Sequence, residues 1–247
     1  MAQAFTIALA GRSIEIRPQY AHLRTLCAAY LTSAPPDLTV TVTPEDIAYE
    51  RQRAAEAATE GDPVPHFSEA YGETLAVHRK IARAMVAYDT LLFHGSAVAV
   101  DGQAYLFTAL SGTGKSTHTR LWCQHFGSRA FMVNDDKPFL RLLDGKVYAC
   151  GSPWDGKHRL STPTQVPLKA LCLLERGEKN RIEPISRREA LPQLLQQSYR
   201  PEEPAQLERA LALLDAMTAA LPLYRLYCNQ EPSAAVVAYE GMGGNAL

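Results

Sequence analysis

The chain has 247 residues, with 25 Lys+Arg against 26 Asp+Glu, 47% hydrophobic residues and 21% charged residues. That length is a prior for one domain or two small ones, and the composition is that of a chain able to bury a core, which disfavours disorder. A net charge of −1 argues against nucleic-acid and anionic-membrane partners, which need a basic excess, and no apolar run approaches the roughly 20 residues that span a bilayer.

In chain order, residues 5–17 (FTIALAGRSIEIR) alternate as a hairpin around Gly11-Arg12. The opening stretch lacks a basic segment followed by an apolar one, so it does not read as a secretory signal, and the expected compartment is the cytoplasm. Residues 20–31 have helical spacing and stop at Ser33-Ala34-Pro35-Pro36; DLTVTVT is a strand, and Pro44 opens a helix. The Gly, Pro and acidic stretch 56–69 is the linker candidate. A helix is predicted over about 68–89. Short apolar runs at LLFHGSAVAV, AYLFTA, RAFMVNDD and VPLKALCLL read as buried strands, with a hairpin at Asp144-Gly145. A strand over RIEPI, two helices, the strand PLYRLYC and a helix ending near Gly241 complete the chain. The expected fold class is α/β with mixed sheets, divided into a small α+β unit over 1–66, suited to substrate binding, and a larger domain over 67–247. Cys27, Cys123, Cys150, Cys172 and Cys228 are an odd number without a C-x-x-C pair, so buried reduced thiols are expected.

The strongest chemical signal is Ala109-Leu110-Ser111-Gly112-Thr113-Gly114-Lys115-Ser116-Thr117, between a predicted strand and a predicted helix. That context suits a phosphate-binding loop. Glycines let successive N–H groups turn inward on a phosphate, and the helix adds its positive end. Lys115 supplies a cation for the β- and γ-phosphates and Ser116 a hydroxyl for Mg²⁺. The full pattern begins with Gly; here that place is Ala109, which fits if its φ is negative. Asp135 and Asp136 end the strand RAFMVNDD. Two adjacent acids there allow one to hold Mg²⁺ and the other to take a proton from a hydroxyl nucleophile. The segment CGSPWDGKHRLS looks like an active-site loop. In it Trp154 is expected to stack on a base or substrate side chain, and Lys157 or Arg159 to stabilise charge on the transferring phosphoryl group. His118 and His125 lie along the helix after the loop, without metal-ligand spacing. Surface or packing roles suit them better than zinc.

LSGTGKST resembles the kinase loop of phosphoenolpyruvate carboxykinases. The wider constellation, His94-Gly95, then Ser111 to Ser116, then Asp135-Asp136, resembles the catalytic domain of bacterial HPr kinase/phosphorylase over about residues 90–160. The resemblance implies a P-loop kinase core using ATP and Mg²⁺. It makes His94 and Lys115 active-site residues, Ser116 a Mg²⁺ ligand beside Asp135, and Asp136 the base. The glutamate that completes the metal site of that family has no clear counterpart, and Asp155 is the substitute considered. HPr kinases assemble as hexamers, so the resemblance extends to a homo-oligomer, although no stretch of this sequence specifies an interface. The chain also resembles the stand-alone HPr-kinase-like enzymes of peptide natural-product pathways, whose substrate is a precursor peptide such as a lasso peptide.

Three activities follow as expectations. The first is a kinase for a hydroxyl, serine of a peptide or protein. The second is a kinase for a small molecule such as free serine. The third is a nucleotide-binding switch or NTPase, against which the paired acids argue. Carboxykinase activity itself is disfavoured by the length of the chain.

Overall fold

The computed structural model describes residues 2–56, 67–110 and 112–244. Residues 57–66 of the expected linker lie outside the described residues, as does Ser111. Two compact units divide the chain, Met1–Ala84 and Met85–Leu247.

In the first unit, β1 (Phe5–Leu9) and β2 (Arg12–Arg17) form an antiparallel hairpin, followed by α1 (His22–Leu26) and β3 (Leu38–Thr41), which pairs parallel with β2. The turn is Ala10-Gly11, both at positive φ, one residue before the expected position. Two left-handed residues match the twist of the flanking strands. The helix expected over 20–31 is shorter, because the chain leaves α1 at Cys27 (φ −88, ψ 8) and finishes as a 3-10 turn over Ala28–Tyr30. Helix α2 spans Pro44–Glu56 and α3 spans Glu69–Met85.

The division after Ala84 differs from the expected 66/67 boundary, since α3 is tied into the first unit. Its fully buried Glu73 accepts hydrogen bonds from the N–H groups of Gln19 and Tyr20. Its Arg79 pairs with Glu50, and Lys80 Nζ donates to the Thr41 carbonyl at 2.8 Å.

The second unit contains β4 (Thr90–Leu92), β5 (Ser96–Val100), β6 (Gln103–Thr108), α4 (Lys115–Phe126), β7 (Ala130–Asn134), β8 (Phe139–Leu143), β9 (Lys146–Cys150) and β10 (Gln165–Arg176). It ends with β11 (Arg181–Pro184), α5 (Arg187–Gln197), α6 (Pro204–Ala220), β12 (Leu223–Cys228) and α7 (Ser233–Gly241). The strands run in the order β4-β8-β9-β10-β6-β5-β7, with β12 also on β10 and β11 on β12. Strand β10 is parallel to β6 and β12, while β5 is antiparallel to both β6 and β7. This is a mixed α/β fold.

The period of two along the central strands sorts their side chains onto two cores. Ala97, Ala99, Leu106, Leu171 and Leu173 pack with Leu194 of α5 and Leu213, Leu214 and Met217 of α6. The alternate residues Val98, Val100, Phe107, Cys172 and Leu174 pack with Trp122 and Phe126 of α4 and Ala235 and Tyr239 of α7. Each fully buried Leu or Phe stabilises the fold by about 1.5–3 kcal/mol. The two helical layers therefore fix β5, β6 and β7, whose ends carry the chemical residues. No helix among the described residues is long and apolar enough to cross a membrane. All five cysteines are free thiols, with Cys27, Cys150 and Cys172 buried and Cys123 and Cys228 half-buried.

Candidate active site

The segment from β6 to α4 carries the glycine-rich loop. Gly112 (φ +76) and Gly114 (φ +119) occupy conformations that a side chain would strain, and Gly114 is the N-cap of α4. Ala109 is not among the described non-glycine residues at positive φ, so alanine is unstrained at the loop's first position. Lys115 folds back so that its Nζ donates to the Ala109 carbonyl at 3.1 Å. Thr113 donates its N–H to Leu110 O. Arg176, at the end of β10, donates from Nη2 to Gly112 O at 2.7 Å.

His94 is held by its backbone on the far side of the loop. Its N–H donates to Gln197 O at 2.7 Å, and its carbonyl accepts from Thr108 Oγ1 at 2.9 Å. Gly95 permits the close approach to β6: a Cβ there would lie 2.9 Å from Phe107 O. The Gly95 N–H reaches the Asp136 carbonyl at 3.1 Å. His94 Nε2 is consequently 3.2 Å from Asp136 Oδ1.

Asp136 is placed by a neighbour that sequence reasoning did not single out. Asn134, fully buried at the end of β7, accepts the N–H of Asp136 at 2.9 Å and of Lys137 at 2.6 Å through Oδ1. This is the short-range turn an Asn side chain makes with its own backbone. Its Nδ2 lies 3.1 Å from Ser152 O and 3.2 Å from Trp154 O, tying the strand end to the loop after β9. In the same loop the Gly156 N–H donates to Asp135 Oδ1 at 2.7 Å. A Cβ on Gly156 would meet Asp135 Oδ2 at 2.8 Å, so a side chain there would push the Asp135 carboxylate aside.

These elements enclose a cavity of about 520 Å³ lined by residues from all of them. Of the residues expected from sequence, His94, Gly112, Gly114, Lys115, Ser116, Thr117, Asp135 and Asp136 line it, with Lys157 and His158 from the loop after β9. Asp155 does not line it and pairs with Arg159 at 3.3 Å. Trp154 is only 6% exposed and is absent from the lining; its ring is packed inside the fold and offers no stacking face there. Arg120 lines the cavity and was not singled out, although its place four residues after Ser116 on α4 gave the signal.

The charges are mutually tuned. Burial alone would raise the Asp136 pKa, but the hydrogen bond from His94 and the charges of Lys137 and Lys115 hold it below the ordinary carboxylate range. Burial lowers Lys115, with Asp136 opposing and Lys137 adding to the fall. Lys137, 3.9 Å from Asp136 Oδ2, is lowered by burial against the pull of Asp136. Burial raises Asp155, Arg159 opposes, and the nearby Asp135 raises it further.

Among the described residues no group of three His, Cys, Asp or Glu side chains is arranged to hold a metal ion. Mg²⁺ does not need such a cage, since it is commonly held by one or two carboxylates, phosphate oxygens and water. The Ser116 hydroxyl and the Asp135 carboxylate, both on the cavity wall, are hard oxygen donors of that kind. His118, in contrast, is 2% exposed and accepts a hydrogen bond from Trp122 Nε1 at 3.0 Å; it is a packing residue, and His125 is exposed.

No family model matches the chain, and no curated protein matches it. Among solved structures, the Hpr(Ser) kinase/phosphatase from Coxiella burnetii is similar to it at a TM-score of 0.35 and 13% identity, over 61% of this chain and 95% of that chain. A likeness of that size assigns neither the fold nor an activity, which rest on the geometry above.

Proposed function

We propose that the chain is a Mg-ATP-dependent kinase that transfers the γ-phosphoryl group to a hydroxyl, serine of a peptide or protein. One observation carries the reading: His94 and Asp136 lie 3.2 Å apart in the same cavity as Lys115 and a loop whose Gly112 and Gly114 stand at positive φ. In this reading the loop over 111–117 is a phosphate-binding loop, with Ser111, Gly112, Thr113, Gly114, Lys115, Ser116 and Thr117 around the triphosphate. Ser116 and Asp135 would hold Mg²⁺; Asp155, off the cavity wall and paired with Arg159, is not among its ligands in this reading. Bound there, Mg²⁺ would neutralise charge on the phosphates.

The acceptor hydroxyl gives its proton to Asp136 as its oxygen bonds to the γ-phosphorus. The bond to the bridging oxygen breaks, and its electron pair leaves with ADP. A carboxylate held at depressed pKa is a weak base but is always ionised near neutrality. That suits a loose phosphoryl transfer, in which charge stabilisation outweighs early proton removal. His94 holds Asp136 in position, and Lys115 leaves the Ala109 carbonyl for the phosphates. The N-terminal unit, none of whose described residues lines the cavity, is assigned to holding a peptide acceptor. The small-molecule reading uses the same cavity with free serine as acceptor.

The test is incubation with Mg-ATP and a panel of free serine, HPr and serine peptides, with phosphate gain read by mass. Lys115→Ala and Asp136→Asn are each expected to lose at least about 10²-fold in rate, the scale of a positioned acid–base or charge contact. Full transfer by Asp136→Asn would remove it as the base. ATP hydrolysis indifferent to every acceptor would replace the kinase reading with an NTPase.

A further inference from the structure

Three basic side chains on the cavity wall are without an anionic partner among the described residues. Arg120 lines it from α4, and Lys157 and His158 line it from the loop after β9. None of the three takes part in a side-chain hydrogen bond or ion pair there. The neighbouring cations are all engaged: Lys115 on the Ala109 carbonyl, Lys137 beside Asp136, Arg159 on Asp155 and Arg176 on Gly112 O. The three side chains are exposed, and the elements that carry them are fixed. Gly156, immediately before Lys157, donates its N–H to Asp135 Oδ1 at 2.7 Å. Arg120 stands one helical turn beyond Ser116.

The cavity's own carboxylates do not answer these charges, because Asp135 is bound by Gly156 and Asp136 by His94 and Lys137. A triphosphate already has the loop N–H groups, the start of α4 and Lys115. Like charges gathered in a cleft repel one another until an anion enters. Resting on the kinase reading, we infer that Arg120, Lys157 and His158 form an anion subsite that selects an acceptor carrying a carboxylate beside its hydroxyl. The carboxylate has two sources, an acidic side chain next to the acceptor serine or the main-chain carboxylate of serine itself. A neutral acceptor is rejected because it leaves the Arg120 and Lys157 charges unpaired.

The experiment uses the full chain loaded with Mg²⁺ and a non-hydrolysable ATP analogue. It is titrated with fluorescent serine peptides that differ only in their flanking residues, Glu, Gln or Lys, and with free serine and serine amide as competitors. The wild type is expected to prefer the Glu to the Gln peptide, or serine to its amide, by about tenfold or more, as charge-assisted hydrogen bonds provide. The pair that shows the preference identifies the carboxylate's source. Arg120→Ala with Lys157→Ala should abolish the preference at unchanged affinity for the analogue, and Arg120→Lys should retain part of it. Equal binding within both pairs overturns the subsite. Loss of analogue affinity in the variants also overturns it, since the cations then belong to the triphosphate. Transfer to the preferred acceptor from Mg-ATP is read separately by mass. Its absence with the acidic preference intact removes the kinase reading and leaves the anion subsite.

Discussion

Asn134 spends both ends of its amide on the cavity: its oxygen fixes the backbone of Asp136 and Lys137, and its nitrogen fixes the 152–154 segment. Removing it leaves the half-buried N–H groups of Asp136 and Lys137 short of a partner, while Ser152 O and Trp154 O keep the hydroxyls of Ser161 and Ser152, and each lost partner costs about 1–3 kcal/mol before water enters. Asn134→Ala is therefore expected to lower the unfolding free energy by about 3 kcal/mol. It should also reduce kcat at least about tenfold with little change in KM for ATP, because Asp136 loses its aim. Urea titration and initial rates check both, and an unchanged kcat would make Asn134 structural only. His118 makes a separate prediction. Burial lowers its pKa from 6.5 to about 3, so the folded state keeps it neutral while the unfolded chain takes up a proton below about 6.5. Between those values the unfolded state binds more protons, and stability falls as pH falls, by up to about 1.4 kcal/mol per pH unit. His118→Gln keeps an acceptor for Trp122 Nε1 and does not titrate. Its urea midpoint should fall less steeply than wild type from pH 6 to 4.5, and parallel profiles would refute the assignment.

Hairpins and cavity loops differ in how their residues declare themselves. The β8–β9 turn, Asp144-Gly145, was legible because a two-residue turn needs positive φ twice, and Asp-Gly between apolar runs states that need locally. Ala10-Gly11 has the same geometry, but Ala gives no such signal, and the pattern alone points to Gly11-Arg12. Helix α1 was overextended for a related reason. Apolar spacing over 20–31 marks a buried face but does not tell an α-helical from a 3-10 turn, and no side-chain cap marks either end. Glycine-rich loop, His94 and the paired acids were readable because each sits at an apolar run's end with an unusual residue type. Asn134 and Gly156 are not, since their roles depend on contacts with distant segments, whereas the place of Arg120 follows from helical spacing after Ser116. The turn geometry is itself testable. A Cβ on Gly145 meets nothing within 4 Å, yet φ is +73, so any penalty is conformational. Gly145→Val should cost most, Gly145→Ala about 1 kcal/mol and Gly145→Asn least, the order of left-handed tolerance. Urea midpoints of the three variants read that order, and a milder Val than Asn would contradict it.

Each compact unit carries its own buried residues: Ile7, Ile14, Ile16 and Leu23 in the first, and the two helix-covered faces of the large sheet in the second. Every residue lining the cavity belongs to the second unit. A ligand that binds only the folded second unit stabilises that unit by RT ln(1 + [L]/Kd), about 2.7 kcal/mol at a hundred times Kd. Both tryptophans, Trp122 and Trp154, lie in this unit, so their fluorescence follows its unfolding, while hydrogen exchange along β1 and β2 follows the first. Saturating Mg-ATP should move the tryptophan-detected urea midpoint upward and leave exchange in β1 and β2 unchanged. Lys115→Ala should lose the midpoint shift, because the proposed function puts that lysine on the triphosphate. A shift of equal size in both probes would show that the units do not respond separately. No shift in either would remove ATP as the ligand of the cavity, however well its glycine-rich loop suits phosphate.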